Sequence, residues 1–354
     1  MPVFKLLNNP AKYYPCTQDM LLDEQFREYW LKHFVTHFDL TSQLAQQVYG
    51  PSIVPAVARA KKMLSDEMEK LRRQPDVYGE LNLQVLGLIR QKCLKENGID
   101  DPFILAKQRE NDASLTLYPE VISQMDSINN RTEALRLLVE GVFAGNIFDL
   151  GATATAGIFA SQSPDFLKIR AGLDGKRPWL IDQFDVLADN LIRRGTYRKV
   201  LIFVDNAGSD FVLGIAPLAR WLAICGSTVC LLANQTPSLN DMTVDETRAL
   251  LPRIAQRDTA LAKLLVENKI TVASSGGTTP LLDLRDVSDE CNQEAAGADL
   301  LIFEGMGRGL ESNFNALFTV DAVKLCMIKE PIIAQRHGGK VFDVVFRYDP
   351  AAEN

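Results

Sequence analysis

The stretch KVLIFVDNAGSDFVLG, Lys199–Gly214, carries an apolar run, Leu201 to Val204, that stops at Asp205-Asn206. It then passes through Gly208, Ser209 and Asp210 into a new apolar pattern. A short apolar run that ends in turn residues reads as a strand buried on both faces and followed by a helix. Strands of that kind belong to parallel sheets covered by helices. STVCLLA (227–233), KITVASS (269–275) and ADLLIFE (298–304) repeat the pattern. Helical stretches such as FVLGIAPLARWLAICG (211–226) and 244–268 separate them, and KVFDVVFRYD (340–349) supplies one more strand. The second half is therefore expected to be an α/β domain with a mostly parallel sheet.

The first ~145 residues differ, since apolar residues there recur at helical spacing. DEQFREYWLKHFVTHFDL (23–40) sets Phe26, Trp30, Phe34 and Phe38 four apart. Residues 52–74 and 81–98 are amphipathic in the same way, and NNRTEALRLLVEGVFAGN (129–146) opens with Asn130 ahead of Glu133, a capping signature. The organisation expected is a helical domain over 1–145 and an α/β domain over 146–354, with a soft boundary between 145 and 195.

The 354 residues are 47% hydrophobic and 23% charged, with net charge −7. That balance disfavours a general grip on nucleic acid or on an anionic membrane. No apolar run has the length of a membrane span, and no secretory leader is evident, so the cytoplasm is the default compartment. The cysteines at 16, 93, 225, 230, 291 and 326 form no CxxC pair and no zinc spacing, so they are read as reduced, packed thiols.

Ligands of open parallel sheets bind beyond the carboxyl ends of the strands. Those ends carry Asp205-Asn206, then Asn234-Gln235 with Asn240-Asp241, then Gly276-Gly277, then Gly305-Met306-Gly307-Arg308-Gly309. Oxygen donors such as Asp205, Asn206 and Asp241 suit a hard divalent cation. The plainer reading is a turn, with Ser209 or Asp210 capping the next helix. Glycine loops present N–H groups to anions, and the Arg308 fork suits phosphate. Neither GxGxxG nor GxxxxGK[ST] is present. Asn146 and Asp149 mark either a helix end or a lobe reaching the site. Lys324 and Lys329 read as surface lysines, with a phosphate-facing role as the sharper alternative. His33 and His37 stand four apart, but they lack the context of a metal motif.

FVDNAGSD, NDMT, FAGNIFDLGA, RPWLIDQFD and FEGMGRGLESN, taken together and in order, resemble the metal-dependent damage-control phosphatase family, formerly a domain of unknown function. The likeness is to its plant-type stand-alone members and to the C-terminal phosphatase domain fused to pantothenate kinase in animals. It implies a Rossmann-like three-layer α/β/α domain with an α-helical N-terminal domain. It implies metal ligands at Asp205, Asn206 and Asp241, with Mn²⁺, Co²⁺, Ni²⁺ or Mg²⁺ as cofactor. On that reading Asp205 and Asp241 are catalytic, Arg308, the loop amides at Gly305 and Gly307 and Lys329 hold the phosphate, Asn146 and Asp149 orient water or substrate, and Glu304 and Asn313 are further substrate-binding residues. The implied activity is hydrolysis of small phosphate monoesters, 4′-phosphopantetheine or its damaged forms, in metabolite damage control. Activated water and direct attack by Asp205 both remain open as routes. GLES ahead of Asn313 departs from the family's small or polar residues and leaves the substrate preference open. Alternatives are a sugar-phosphate phosphatase, a carboxyl methyltransferase and a non-enzymatic sensor of a phosphometabolite. The partner expected is a small phosphorylated metabolite, with homo-oligomer formation left open.

Overall fold

A computed structural model describes residues 2–147, 165–173 and 175–352. The stretch singled out above becomes strand β2, Lys199–Phe203. It lies between β3 (Thr228–Ala233) and β5 (Leu300–Glu304), in parallel with both. The other strands described are β1 (Ile181–Asp182), β4 (Ile270–Ser274), β6 (Asp321–Met327) and β7 (Val344–Asp349). Their order across the sheet is β1-β7-β6-β5-β2-β3-β4, and every pairing is parallel except β6 with β7. The α/β class read from the apolar runs is the class observed.

Register places the site. Phe203 lies opposite both Leu232 and Phe303, so three neighbouring strands end at one level. The chain leaves β2 towards β3 on one side and later returns as β5 on the other. That reversal of direction opens a crevice beyond the carboxyl ends.

Both faces of β2 are buried, and alternate residues serve different cores. Val200, Ile202 and Val204 pack with residues of two long helices, Ile104–Asp126 and Arg131–Asn146, and of Ala216–Ile224. Leu201 and Phe203 face the opposite side, with Phe4, Leu7 and Phe303. There the Phe203 and Phe303 rings stack with centroids 4.7 Å apart. A third core joins helices Glu24–Tyr49, Val54–Arg73 and Leu83–Lys95. It reaches the α/β layer through Leu281, Met306, Leu310, Ile328 and Ile332. Those three helices therefore sit over the strand ends.

The helix starts follow their sequence signals. Asp23 accepts from the Phe26 N–H at 2.9 Å, Asn82 from Val85 at 3.0 Å, and Asn130 from Thr132 and Glu133 at 2.9 and 3.1 Å. Thr243 and Glu246 make a reciprocal capping box. All six cysteines are free. No helix among the described residues is long and apolar enough to cross a membrane.

Candidate active site

Asp205 follows β2 directly, and the backbone on both sides fixes it. Its N–H donates to Glu304 Oε2 at 2.7 Å, and its carbonyl accepts from the Met242 N–H at 2.8 Å. Ala207 N–H donates to the Asn240 carbonyl at 2.9 Å, and Asn206 pairs with Asp241 in an isolated antiparallel bridge. The loop after β3 is thus bound to the loop after β2, which brings Asp241 beside Asp205.

Arg308 lies between them. Its guanidinium pairs with Asp205 Oδ1, donates to Asp241 Oδ2 at 2.8 Å and reaches Asn234 Oδ1 at 3.1 Å. Asn234 in turn donates to Asp241 Oδ2 at 3.0 Å. Burial works against the Arg308 charge, but Asp241 and Asp205 more than offset it and hold the group protonated. Arg308 comes from one π-helical segment, Met306–Ser312, entered through Gly305 at φ 93°. A Cβ at Gly305 would lie 2.1 Å from Asp205 Oδ2, and one at Gly307 would lie 2.4 Å from the Pro280 carbonyl oxygen. These glycines are required because the loop presses against the carboxylate and the neighbouring backbone.

Asn146 closes the other side. It is fully buried at the end of helix Arg131–Asn146. Its amide donates to Asp210 Oδ2 at 2.9 Å and Glu304 Oε1 at 3.0 Å, with a longer 3.4 Å approach to Asp205 Oδ2. Its own oxygen accepts from the Met327 N–H at 3.1 Å, and Lys329 Nζ donates to its carbonyl at 3.0 Å. Asp149 lies outside the described residues.

Three expectations change on contact with the geometry. Asp210 caps nothing. It opens a π-helical turn, Asp210–Ile215, and its carboxylate turns inward to accept from Asn146 and Asn206. Lys324 and Lys329 are buried, not on the surface. Lys324 serves structure: its ammonium donates to the Phe314 and Ala316 carbonyls and pairs with Asp349 at 2.8 Å. Asn313 is also buried, but it ties loops together, donating to the Leu282 and Arg308 carbonyls and accepting from the Tyr13 hydroxyl.

Asp205, Asp210 and Glu304 offer oxygens that all lie within 4.8 Å of one another. Burial, then the Asp205 charge, pushes Asp210 up to about 6. Burial, with Asp210 and Asp205, pushes Glu304 well above the ordinary carboxylate range. Asp210 Oδ1 is buried and has no hydrogen-bond partner. A divalent cation fits that crowding of buried carboxylates and that orphaned oxygen.

A cavity opens above this cluster. Asp205, Asn206, Asp241 and Gly307 form its floor, and Trp30, His33, Phe34, His37, Leu83 and Arg90 come down from the helices over it. The helical region is therefore one wall of the site. Burial, with the Arg90 charge second, brings His33 down to about 4, so its ring is neutral near pH 7.

Residues 37–345 match the family model described as the damage-control phosphatase ARMT1-like domain. The chain belongs to that family. It is 37% identical to a damage-control phosphatase of Arabidopsis thaliana, over 84% of this chain and 82% of that protein. It is 31% identical to the 4′-phosphopantetheine phosphatase of Mus musculus, over 97% of this chain but 48% of the mouse protein. It is 35% identical to pantothenate kinase 2 of Arabidopsis thaliana, of which the match spans 42%. The chain thus spans less than half of two of these relatives. A solved structure from Pyrococcus horikoshii, described as a DUF89 family protein, superposes with a TM-score of 0.63. That superposition covers 91% of this chain and 97% of the other at 20% identity, and it shows a shared fold. The family is metal-dependent, in keeping with the buried acidic cluster.

Proposed function

We propose that this chain is a metal-dependent phosphatase acting on small phosphate monoesters, with 4′-phosphopantetheine or its damaged forms as the substrate. The observation that carries this reading is the buried triad Asp205, Asp210 and Glu304, with its orphaned Asp210 oxygen, set at the strand ends beside Arg308. Family membership supports the reaction class, and the name of the mouse relative supports the substrate.

Asp205, Asn206 and Asp241 are the proposed ligands of Mn²⁺, Co²⁺, Ni²⁺ or Mg²⁺, with Asp210 and Glu304 as further oxygen donors. All are hard donors suited to such ions. A bound ion would act there as a Lewis acid, drawing charge from a phosphoryl oxygen. The chain's own groups do the positioning. Asn146 and Asn206 donate to Asp205 Oδ2 and hold the plane of the carboxylate. Glu304 fixes the Asp205 backbone through the 2.7 Å hydrogen bond. Arg308 is fixed by Asp241 and Asn234, so its charge is pre-oriented toward the reacting group. The Gly305 N–H donates to the Leu325 carbonyl at 3.0 Å and is not available to a phosphate, so of the two loop amides only that of Gly307 is proposed to face it. The free thiols fit a reducing compartment, and we place the activity in the cytoplasm.

A panel of phosphate monoesters assayed with each of the four ions tests the proposal. Turnover with at least one ion is expected, along with a loss of at least tenfold in EDTA and recovery on adding the ion back. Turnover unchanged by EDTA would remove the metal from the mechanism. A carboxyl methyltransferase would release no phosphate under any of these conditions.

A further inference from the structure

Arg90 is an anomaly in the helical wall. Helix Leu83–Lys95 buries Leu83, Leu86, Cys93 and Leu94, and Arg90 stands on that same buried stripe, 6% exposed. No hydrogen bond or ion pair holds its guanidinium among the described residues, and Nε is buried without a partner. The Phe34 centroid lies 5.2 Å from the guanidinium carbon, and Arg90 also borders a small second cavity with Thr41, Asp100, Asp101 and Ser238. Lys107, Arg220 and Lys324 are buried to a similar degree, and each has a carboxylate within 2.8 Å; Arg170, also buried, is held instead by the Gln124 amide oxygen. A desolvated guanidinium with no anion is unfavourable, and a bound anion would supply the missing charge.

We propose that Arg90 is a second guanidinium of this site, contributed by the helical wall and binding the phosphoryl oxygens from the side opposite the strand ends and Arg308. The proposal rests on the phosphatase reading above.

Three observations support the assignment. Arg90 lines the same cavity as Asp205, Asp241 and Gly307. The Asp241 charge favours the charged form of Arg90, against its burial. Arg308 is already engaged by two carboxylates and Asn234, whereas the Arg90 fork is not engaged. Burial lowers the Arg90 pKa only to about 10, so it keeps its charge at neutral pH. His33 beside it is neutral and does not compete as a cation. A planar fork with open donors matches a phosphate dianion better than any other group facing the cavity. Trp30 and Phe34 keep the contact dry, which strengthens it.

Calorimetric titration with inorganic phosphate, in the presence of Mg²⁺, decides the matter on wild type, Arg90→Met and Arg90→Lys. The expected result is a Kd raised at least tenfold in Arg90→Met. Arg90→Lys should fall between, because it keeps the charge without the fork. The unliganded Tm of Arg90→Met should be no lower than that of wild type, since the substitution removes an unpaired buried charge. With a phosphate monoester, KM should rise more than kcat falls. A Kd within twofold of wild type in Arg90→Met overturns the proposal, as does a wild type that binds no phosphate. Should Arg90→Met fail to fold, Arg90→Lys alone decides, with an unchanged Kd counting against the proposal. Binding needs no turnover, so the two readings fail separately. Phosphate held through Arg90 without hydrolysis of any ester would sink the phosphatase alone. An active phosphatase indifferent to Arg90→Met would sink only this inference.

Discussion

Asp205→Ala is expected to lower kcat by about 10⁴-fold, the scale seen when one member of a catalytic group is removed. The protein should stay folded. Asp205 is the carboxylate on which the site converges, through the Arg308 ion pair, the amides of Asn146 and Asn206, and the Asp205–Asp210–Glu304 cluster. Truncation removes an oxygen donor and a candidate nucleophile in one step. Breaking a buried ion pair ordinarily costs several kcal/mol because a charge is left alone. Arg308 is not left alone here: it retains Asp241 at 2.8 Å, Asn234 at 3.1 Å and the Pro280 carbonyl at 3.3 Å. Repulsion of Asp205 by Asp210 and Glu304 is also relieved. The two effects oppose each other, and a net stability change within about 2 kcal/mol is expected, inside the ordinary range of point substitutions. Thermal unfolding checks the fold, and a Mn²⁺-dependent Tm shift present in wild type should shrink in the variant. Retained turnover in a well-folded Asp205→Ala protein would show that the chemistry lies elsewhere.

The strand-end logic was legible because it depends on local pattern alone. An apolar run ending in Asp-Asn names both the strand and the edge of the crevice, and the 36 residues from Asp205 to Asp241 are one strand–helix–strand unit. Asp210 was not legible as a site residue. An aspartate a few positions beyond a strand, ahead of an apolar helix, looks like a cap. What turns its carboxylate inward is a π-helical turn, and local sequence does not encode that widening in any simple pattern. Lys324 carried a signal: a lysine inside the otherwise apolar run AVKLCM sits in a strand buried on both faces and has to be buried with partners. Arg90 carried one too, as a charged residue on the apolar stripe of its helix. Its lack of a partner and its place over the strand ends are tertiary facts, invisible until helices far apart in sequence from β2 are seen covering it.

Gly145→Ala should show how closely the catalytic geometry depends on backbone packing. Helix Arg131–Asn146 lies against the Asp210–Ile215 turn with no side chain between them at Gly145. A Cβ there would come within 2.7 Å of Asp210 Cα and 2.8 Å of the Ser209 carbonyl oxygen. Both are backbone atoms, so no rotamer change relieves the clash. Gly141 lies one turn earlier in the same helix, but a Cβ there would meet nothing closer than the Leu213 carbonyl oxygen at 3.6 Å, an ordinary contact. Alanine favours helix over glycine by about 1 kcal/mol at either position. Overpacking at Gly145 costs about 1–3 kcal/mol and reaches the upper end where backbone must move. Gly141→Ala is therefore expected to leave Tm unchanged or raised, and Gly145→Ala to lower it. The larger effect falls on turnover. Asn146 follows Gly145 directly and bridges Asp210, Glu304, Met327 and Lys329, so displacing the helix moves the amide that orients the acidic cluster. A shift on the order of 1 Å at such a group lowers kcat by about 10²-fold. Equal Tm and equal kcat in the two variants would mean that the helix can move without moving the site, and Asn146 would then have no part in holding the carboxylates.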